Sequence, residues 1–262
     1  MKAIFITGGA SGIGRAVAIL FSARGWRVGL ADIDAAGLAA TAAMLPAERT
    51  STHHLDVRDM AAWEEALAAF TALSGGQLGV LFNNAGIGHA GPFGTIDRAA
   101  LDRVIDINFR GVVYGARAAY PWLKATPGSC LLNTASASAI YGSAGLALYS
   151  ATKFAVRGLT EALDGEWAAD GIKVRDLMPG FIDTAILDTP IPDTNRTARD
   201  AVVDAGLEFT PVETVAQAAW DAVHGERVHA VIGKTARRLT FAARWMPGRL
   251  RKMMRAGALG GG

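Results

Sequence analysis

The sequence predicts an α/β protein: one doubly wound parallel sheet of about seven strands with helices on both faces. Three observations carry that expectation. Short apolar runs alternate along the chain with longer segments in which apolar residues return at helical spacing. Strands separated in this way by helices pair in parallel and are covered on both sides, so each reads as a continuous apolar run. A glycine-rich turn, Thr7-Gly8-Gly9-Ala10-Ser11-Gly12-Ile13-Gly14, closes the first apolar run and opens the first helical segment.

In chain order, strands are expected near residues 2–7, 27–32, 50–55, 79–83, 129–134, 173–178 and 228–232. Helices fall between them, near 13–24, 35–45, 59–73, 97–106 continuing through 109–124, 147–169 and 211–224. Thr126-Pro127-Gly128 is a turn that ends a helix before the fifth strand. The segment 184–209, with Pro190, Pro192, Asp193 and Asn195, reads as one long irregular loop, and loops of that length in a domain are usually functional.

With 262 residues, 51% of them hydrophobic, the chain can build one full core, so residues 1–233 are expected to form a single domain carrying the 184–209 substrate loop. Residues 234–262 hold eight Lys and Arg and no acid, a basic amphipathic extension; the remainder then has 18 basic and 24 acidic side chains, net −6. No apolar run reaches the ~18 residues of a membrane span, and the N-terminus opens directly on a strand. Cys130 is the single cysteine, so no internal disulfide forms. These features fit a cytoplasmic protein.

Tyr149 and Lys153 stand four residues apart, with Ser136 thirteen residues upstream. A tyrosine hydroxyl is a weak base near neutral pH because its ordinary pKa is about 10. A lysine one helical turn away can favour the phenolate, which makes the pair an acid/base candidate for a nicotinamide-dependent oxidoreductase. Tyr120 and Lys124 repeat the spacing, but Ile107 takes the place of the serine, so they read as packing and surface residues. Tyr114 and Tyr141 have Ala118 and Gly145 at i+4. His53 and His54 point to opposite faces of a strand and cannot share a metal.

Gly8, Gly12 and Gly14 lack the Cβ that would obstruct backbone approach to a pyrophosphate, and the helix after them offers unpaired N–H donors. Their spacing differs from Gly-x-Gly-x-x-Gly; the position between strand and helix is what points to a dinucleotide. Asp32 ends the second strand, where a carboxylate accepts from both ribose hydroxyls of an adenosine and repels a 2′-phosphate. Ile33, Ala10 and Ser11 carry no positive charge, and Arg15 sits on the helix in a solvated or structural role, so NAD is expected over NADP.

These pieces, with Asp56, Asn83-Asn84-Ala85-Gly86, Asn108 and Pro179-Gly180-Phe181-Ile182-Asp183-Thr184, occur in an order that closely resembles the short-chain dehydrogenase/reductase family. The resemblance implies a Rossmann-type fold, a homodimer or homotetramer, and Asn108, Ser136, Tyr149 and Lys153 as the catalytic four. Tyr149 would exchange a proton with the substrate oxygen, Ser136 would hydrogen-bond it, Lys153 would also hold the nicotinamide ribose, and Asn108 would anchor a water behind Lys153. The implied cofactor contacts are Gly8, Ser11, Gly12, Ile13, Gly14, Asp32, Asp56, Val57, Asn84, Ala85, Gly86, Tyr149, Lys153, Pro179, Gly180, Ile182 and Thr184.

Ile186, Leu187, Ile191, Leu207 and Phe209 in the loop suggest a lipophilic alcohol or ketone. Ser138 is expected at the pocket wall and His89 as a hydrogen-bonded loop histidine. Two alternatives remain: a dinucleotide-binding regulator or scaffold without turnover, and an NADP(H)-preferring carbonyl reductase. In the tail, Leu239, Ala242, Ala243 and Met246, then Leu250, Met253 and Met254, fall at helical spacing among arginines. Packing on the substrate loop or a neighbouring subunit is favoured over docking on an anionic membrane.

Overall fold

The computed structural model describes residues 2–188 and 195–255. Seven strands form one sheet: β1 (Ala3–Thr7), β2 (Arg27–Asp32), β3 (Thr50–His54), β4 (Val80–Asn83), β5 (Cys130–Thr134), β6 (Lys173–Pro179) and β7 (His229–Ile232). Their order is β3-β2-β1-β4-β5-β6-β7, and every neighbouring pair is parallel. The chain moves outward from β1 through β2 to β3, then returns to place β4 on the other side of β1. That reversal opens a crevice at the carboxyl ends of β1 and β4, where sheets of this kind bind ligands.

Successive residues of a strand face opposite sides, and the two cores divide accordingly. Ile4 and Ile6 of β1 meet Val17 and Phe21 of α1 (Gly12–Ala23), Leu38 of α2 (Ala35–Ala42) and, from late in the chain, Val215 and Ala219 of the helix Val212–His224. Phe5 meets Trp63, Leu67 and Phe70 of α3 (Met60–Leu73), and the same core includes Ala119 and Leu123 of the helix Gly111–Lys124. Because helices cover both faces, β1, β4 and β5 are buried throughout, whereas the edge strand β3 is not. Cys130 lies in the first core, and burial pushes its thiol up to about 12. His53 is half-buried against the rings of Phe5 and Phe70, and His54 is exposed.

The expected pair of helices over 97–124 is one continuous run with a defect. α4 (Arg98–Ile105) passes through a single π turn, Asp106–Arg110, into α5 (Gly111–Lys124). The wider turn carries Asn108, which is completely buried. Next come α6 (Ala147–Glu166), α7 (Ala198–Asp204) and α8 (Val212–His224). α7 corrects the expectation that 184–209 is irregular throughout. It starts with a capping box in which the Thr197 hydroxyl accepts from the Asp200 N–H and the Asp200 carboxylate accepts from the Thr197 N–H. Pro190, Ile191, Pro192 and Asp193, and the side chain of Ile186, lie outside the described residues.

The tail forms α9 (Lys234–Trp245) and α10 (Pro247–Arg255). Glu208, at the far end of the substrate loop, accepts from the backbone N–H groups of Lys234 and Thr235. A carboxylate from another segment thus occupies the electropositive start of α9.

Gly29 of β2 lies between two aromatic rings: a Cβ built there would fall 2.6 Å from Phe70 and 2.7 Å from Phe5. Gly29→Ala is therefore expected to lower stability by about 1–3 kcal/mol, read as an earlier midpoint in urea unfolding with unchanged slope.

Candidate active site

The turn between β1 and α1 is shaped by backbone constraints. Gly8 and Gly12 have positive φ, +67° and +51°, a region that L side chains rarely adopt. Gly14 serves a different purpose from the one expected of it. A Cβ there would stand 2.1 Å from the Gly8 carbonyl oxygen, so its bare backbone lets α1 pack onto its own turn rather than onto a ligand. Ser11 is the N-cap but makes no side-chain capping bond, and the first turn holds no acid. The N–H groups and positive dipole end of α1 are consequently left to receive an anion.

Asp32 reaches this turn from β2. One carboxylate oxygen accepts from the Ala10 N–H at 3.2 Å and the other from the Asp34 N–H at 3.1 Å. Arg15 donates to the Thr41 hydroxyl at 2.9 Å and to the Ala10 carbonyl, which settles its role as structural. After β3, Asp56 is gripped by Arg58 at 2.9 and 2.6 Å, and the hydrogen bonds from that guanidinium draw its pKa down. Val57 is fixed by its carbonyl, which accepts from the Trp63 indole at 3.0 Å.

Asn84 braces three strand ends. Its amide donates to the Thr7 carbonyl at 3.0 Å, its carbonyl accepts from the Thr134 hydroxyl at 3.1 Å, and its own N–H, like that of Ala85, donates to the Thr7 hydroxyl. With both ends of the side chain occupied inside the protein, Asn84 presents backbone to the crevice.

Ser136 follows β5; Tyr149 and Lys153 sit on the first turns of α6. The Ser136 hydroxyl accepts from the Ser138 N–H at 3.1 Å. The Lys153 ammonium donates to the Thr134 carbonyl at 2.8 Å and stands 5.7 Å from the centre of the Tyr149 ring. Burial brings Lys153 down to about 8. Burial also raises the Tyr149 pKa, against a smaller lowering by its hydrogen bond to Ser136. The expected depression of Tyr149 by Lys153 is thus reversed without a ligand, because desolvation of the phenolate outweighs a lysine turned toward a carbonyl.

Asn108 donates to the Ile87 carbonyl at 2.9 Å and accepts from the Ile87 N–H at 2.8 Å. A Cβ on Gly86 would lie 3.2 Å from the Asn108 carbonyl oxygen and 3.6 Å from the Lys153 nitrogen, so a bare glycine separates these two residues.

One cavity of about 700 Å³ joins these parts. It is lined by Gly8, Ser11, Gly12, Ile13, Asp32, Asp56, Val57, Asn84, Ala85, Gly86, Ser136, Tyr149, Lys153, Pro179, Gly180, Ile182 and Thr184. Of the residues expected at the site, Gly14 and Asn108 are not on its wall. Ser138 lines it. So does His89, which has no hydrogen-bond partner among the described residues, contrary to the expectation of a bonded loop histidine. Arg58, Arg103 and Leu146 also line it and were not anticipated. Arg58 lies two residues beyond Asp56 and Leu146 three before Tyr149, so spacing could have found both; nothing in the sequence marks Arg103.

Around Thr184 the chain is clamped by an arginine. Arg199 of α7 reaches Asp183 at 2.6 Å, Asp188 at 2.8 Å and the Thr184 carbonyl at 3.4 Å. Tyr120 and Lys124, which share the spacing of Tyr149 and Lys153, instead meet Asp170 at 2.7 and 2.8 Å on the far surface.

Residues 2–194 match the family model described as short chain dehydrogenase. The chain belongs to the short-chain dehydrogenase family. It is 37% identical over 202 residues to the 3-alpha-(or 20-beta)-hydroxysteroid dehydrogenase of Mycobacterium tuberculosis (strain ATCC 25618 / H37Rv), covering 75% of each chain. It is 37% identical over 186 residues to meso-2,3-butanediol dehydrogenase of Serratia marcescens, covering 70% of this chain and 72% of that one. The crystal structure of a short-chain dehydrogenase/reductase from Burkholderia phymatum in complex with NAD is similar with a TM-score of 0.82 and 26% identity, covering 96% of this chain and 95% of that one.

In this short-chain dehydrogenase, Asn108→Ala removes both bonds to Ile87 and leaves a half-buried donor and acceptor unpaired. A stability loss of about 1–3 kcal/mol is expected in chemical denaturation.

Proposed function

We propose that the protein is an NAD(H)-dependent oxidoreductase that interconverts a secondary alcohol and a ketone, with Tyr149 as acid/base. The observation that carries this reading is a single cavity bringing Ser136, Tyr149 and Lys153 together with Asp32 and the uncapped start of α1.

The residues present suit a dinucleotide. The N–H groups at the start of α1 would receive a pyrophosphate, Asp32 would hold an adenosine ribose, and Asp56 and Val57 would hold the base. Pro179, Gly180, Ile182 and Thr184 would hold the nicotinamide half. NAD is favoured because a 2′-phosphate would meet the Asp32 carboxylate next to Ile33, which is 63% exposed and uncharged. Arg15 is held by Thr41 and Ala10, and Arg58 is neutralised by Asp56. The similarity to a structure complexed with NAD agrees.

When bound, the nicotinamide exchanges hydride with the substrate carbon. Tyr149 gives its proton to the carbonyl oxygen during reduction while Ser136 donates a hydrogen bond to that oxygen as charge develops. Tyr149 is protonated at neutral pH and so carries the proton that reduction needs, although burial makes it hold that proton more tightly. In oxidation Tyr149 must first lose that proton, and Lys153, brought down to about 8, is a group beside it able to pass protons on. Asn108 acts as a positioning residue through Ile87. Leu146, Phe181 and Leu187 on the cavity wall favour a lipophilic substrate, a class to which the hydroxysteroids named for one relative belong.

Tyr149→Phe should lower kcat by about 100- to 10,000-fold while NADH binding, followed by fluorescence, stays near wild type. Lys153→Ala should damage both. Because Tyr149 is raised, alcohol oxidation is expected to climb with pH through the neutral range, whereas ketone reduction holds until alkaline pH. Wild-type turnover in Tyr149→Phe would reject the assignment, and NADH binding with no turnover across a panel of alcohols and ketones would favour a dinucleotide-binding regulator.

Asp32→Ala removes an acceptor for the ribose and the repulsion of a 2′-phosphate together. The ratio of kcat/KM for NAD over NADP should fall by about ten- to a hundredfold. An equal ratio in the wild type would reject the cofactor assignment.

A further inference from the structure

The tail divides its apolar residues between two faces. Ala236 and Leu250 are buried and Leu239, Ala242, Ala243 and Met254 half-buried, so one stripe of α9 and α10 packs inward. A second set does not. Phe241 is 58% exposed, Trp245 66%, Met253 52% and Met246 38%. On α9 the positions of Arg237, Phe241, Arg244 and Trp245 fall at i, i+4, i+7 and i+8, a single helix face. On α10, Arg249 and Met253 repeat the pairing one turn apart.

The charges on this surface are one-sided. Lys234 is paired with Glu208 at 3.7 Å. Arg237, Arg238, Arg244, Arg249, Arg251, Lys252 and Arg255 are exposed and face no carboxylate among the described residues. The Arg244 guanidinium lies 5.3 Å from the Trp245 ring. The rest of the chain is net −6, so the excess of positive charge is confined to this end.

We propose that this face docks the protein onto the surface of an anionic phospholipid bilayer. Guanidinium groups interleaved with aromatic and methionine side chains match both layers of such a surface, the phosphates and the acyl boundary beneath them. A second copy of the chain fits poorly, because a two-fold contact would set these seven cations against their own equivalents. A nucleic acid would satisfy the arginines and leave Phe241, Trp245 and Met253 without an apolar medium. The attachment is peripheral: among the described residues no helix is long and apolar enough to cross a membrane. It also lies beside the cavity, since a Cβ on the wall residue Gly180 would stand 3.8 Å from the Ala236 nitrogen at the start of α9.

The test is flotation of the full-length protein with vesicles of phosphatidylcholine alone or mixed with phosphatidylglycerol, at low and high salt. The expected result is binding to the anionic vesicles that falls by about tenfold or more at high salt. A similar fall is expected in Arg237→Gln/Arg244→Gln and in Phe241→Ser/Trp245→Ser, with NADH binding unchanged as the sign of an intact fold. A readout that needs no folding comparison is quenching of indole fluorescence by brominated lipid, which Trp245→Phe should abolish. No binding, or equal binding to neutral vesicles, overturns the proposal. So does a change in gel-filtration size of the Phe241→Ser/Trp245→Ser variant without vesicles, which would mark the face as a contact between copies of the chain.

Discussion

A run of hydrogen bonds across the carboxyl ends of β1, β4 and β5 holds the site together. Thr7 binds the backbone of Asn84 and Ala85, Asn84 ties Thr7 to Thr134, and the Thr134 carbonyl receives the Lys153 ammonium. The glycine turn at one end and the helix bearing Tyr149 and Lys153 at the other are thereby set in one frame, through atoms that belong to parallel strands in fixed register. Each bond is worth little alone, but together they leave few polar groups of this edge unpaired, so losing one leaves its partner unsatisfied.

Burial, more than proximity of charge, sets the direction in which Tyr149 and Lys153 shift inside that frame. Tyr149 and Lys153 share a helix face as their spacing requires, yet removal from water raises one and lowers the other, so both are pushed toward their neutral forms. Lys153 then holds its proton less readily than it would in water, and Tyr149 loses its own less readily. The positive charge needed to make it a base is weakened by the surroundings that make the pair unusual.

The strands were legible because both faces of a parallel strand are apolar, which leaves an unambiguous trace in β1, β4 and β5. Tyr149, Lys153 and Ser136 were legible because helix spacing and strand order fix where they meet, and the same logic discarded Tyr120. What escaped was non-local. The brace through Thr7, Asn84 and Thr134 spans residues 50 and 77 positions apart. The grip of Asn108 on Ile87 depends on a π turn that has no compositional mark. α7 was hidden for another reason: the prolines and charges around it outweighed a short Thr-x-x-Asp signal at Thr197 and Asp200.

Glu208 joins two parts of the molecule that the sequence presents as separate. Its carboxylate sits on the first N–H groups of α9, while its backbone belongs to the segment that returns from α7 to pair Thr210 with Ile182 on the cavity wall. The start of the tail and this wall of the cavity are therefore tied together through residues 208 to 210. A displacement of α9 would be felt at Ile182 on the cavity wall through Glu208 and Thr210.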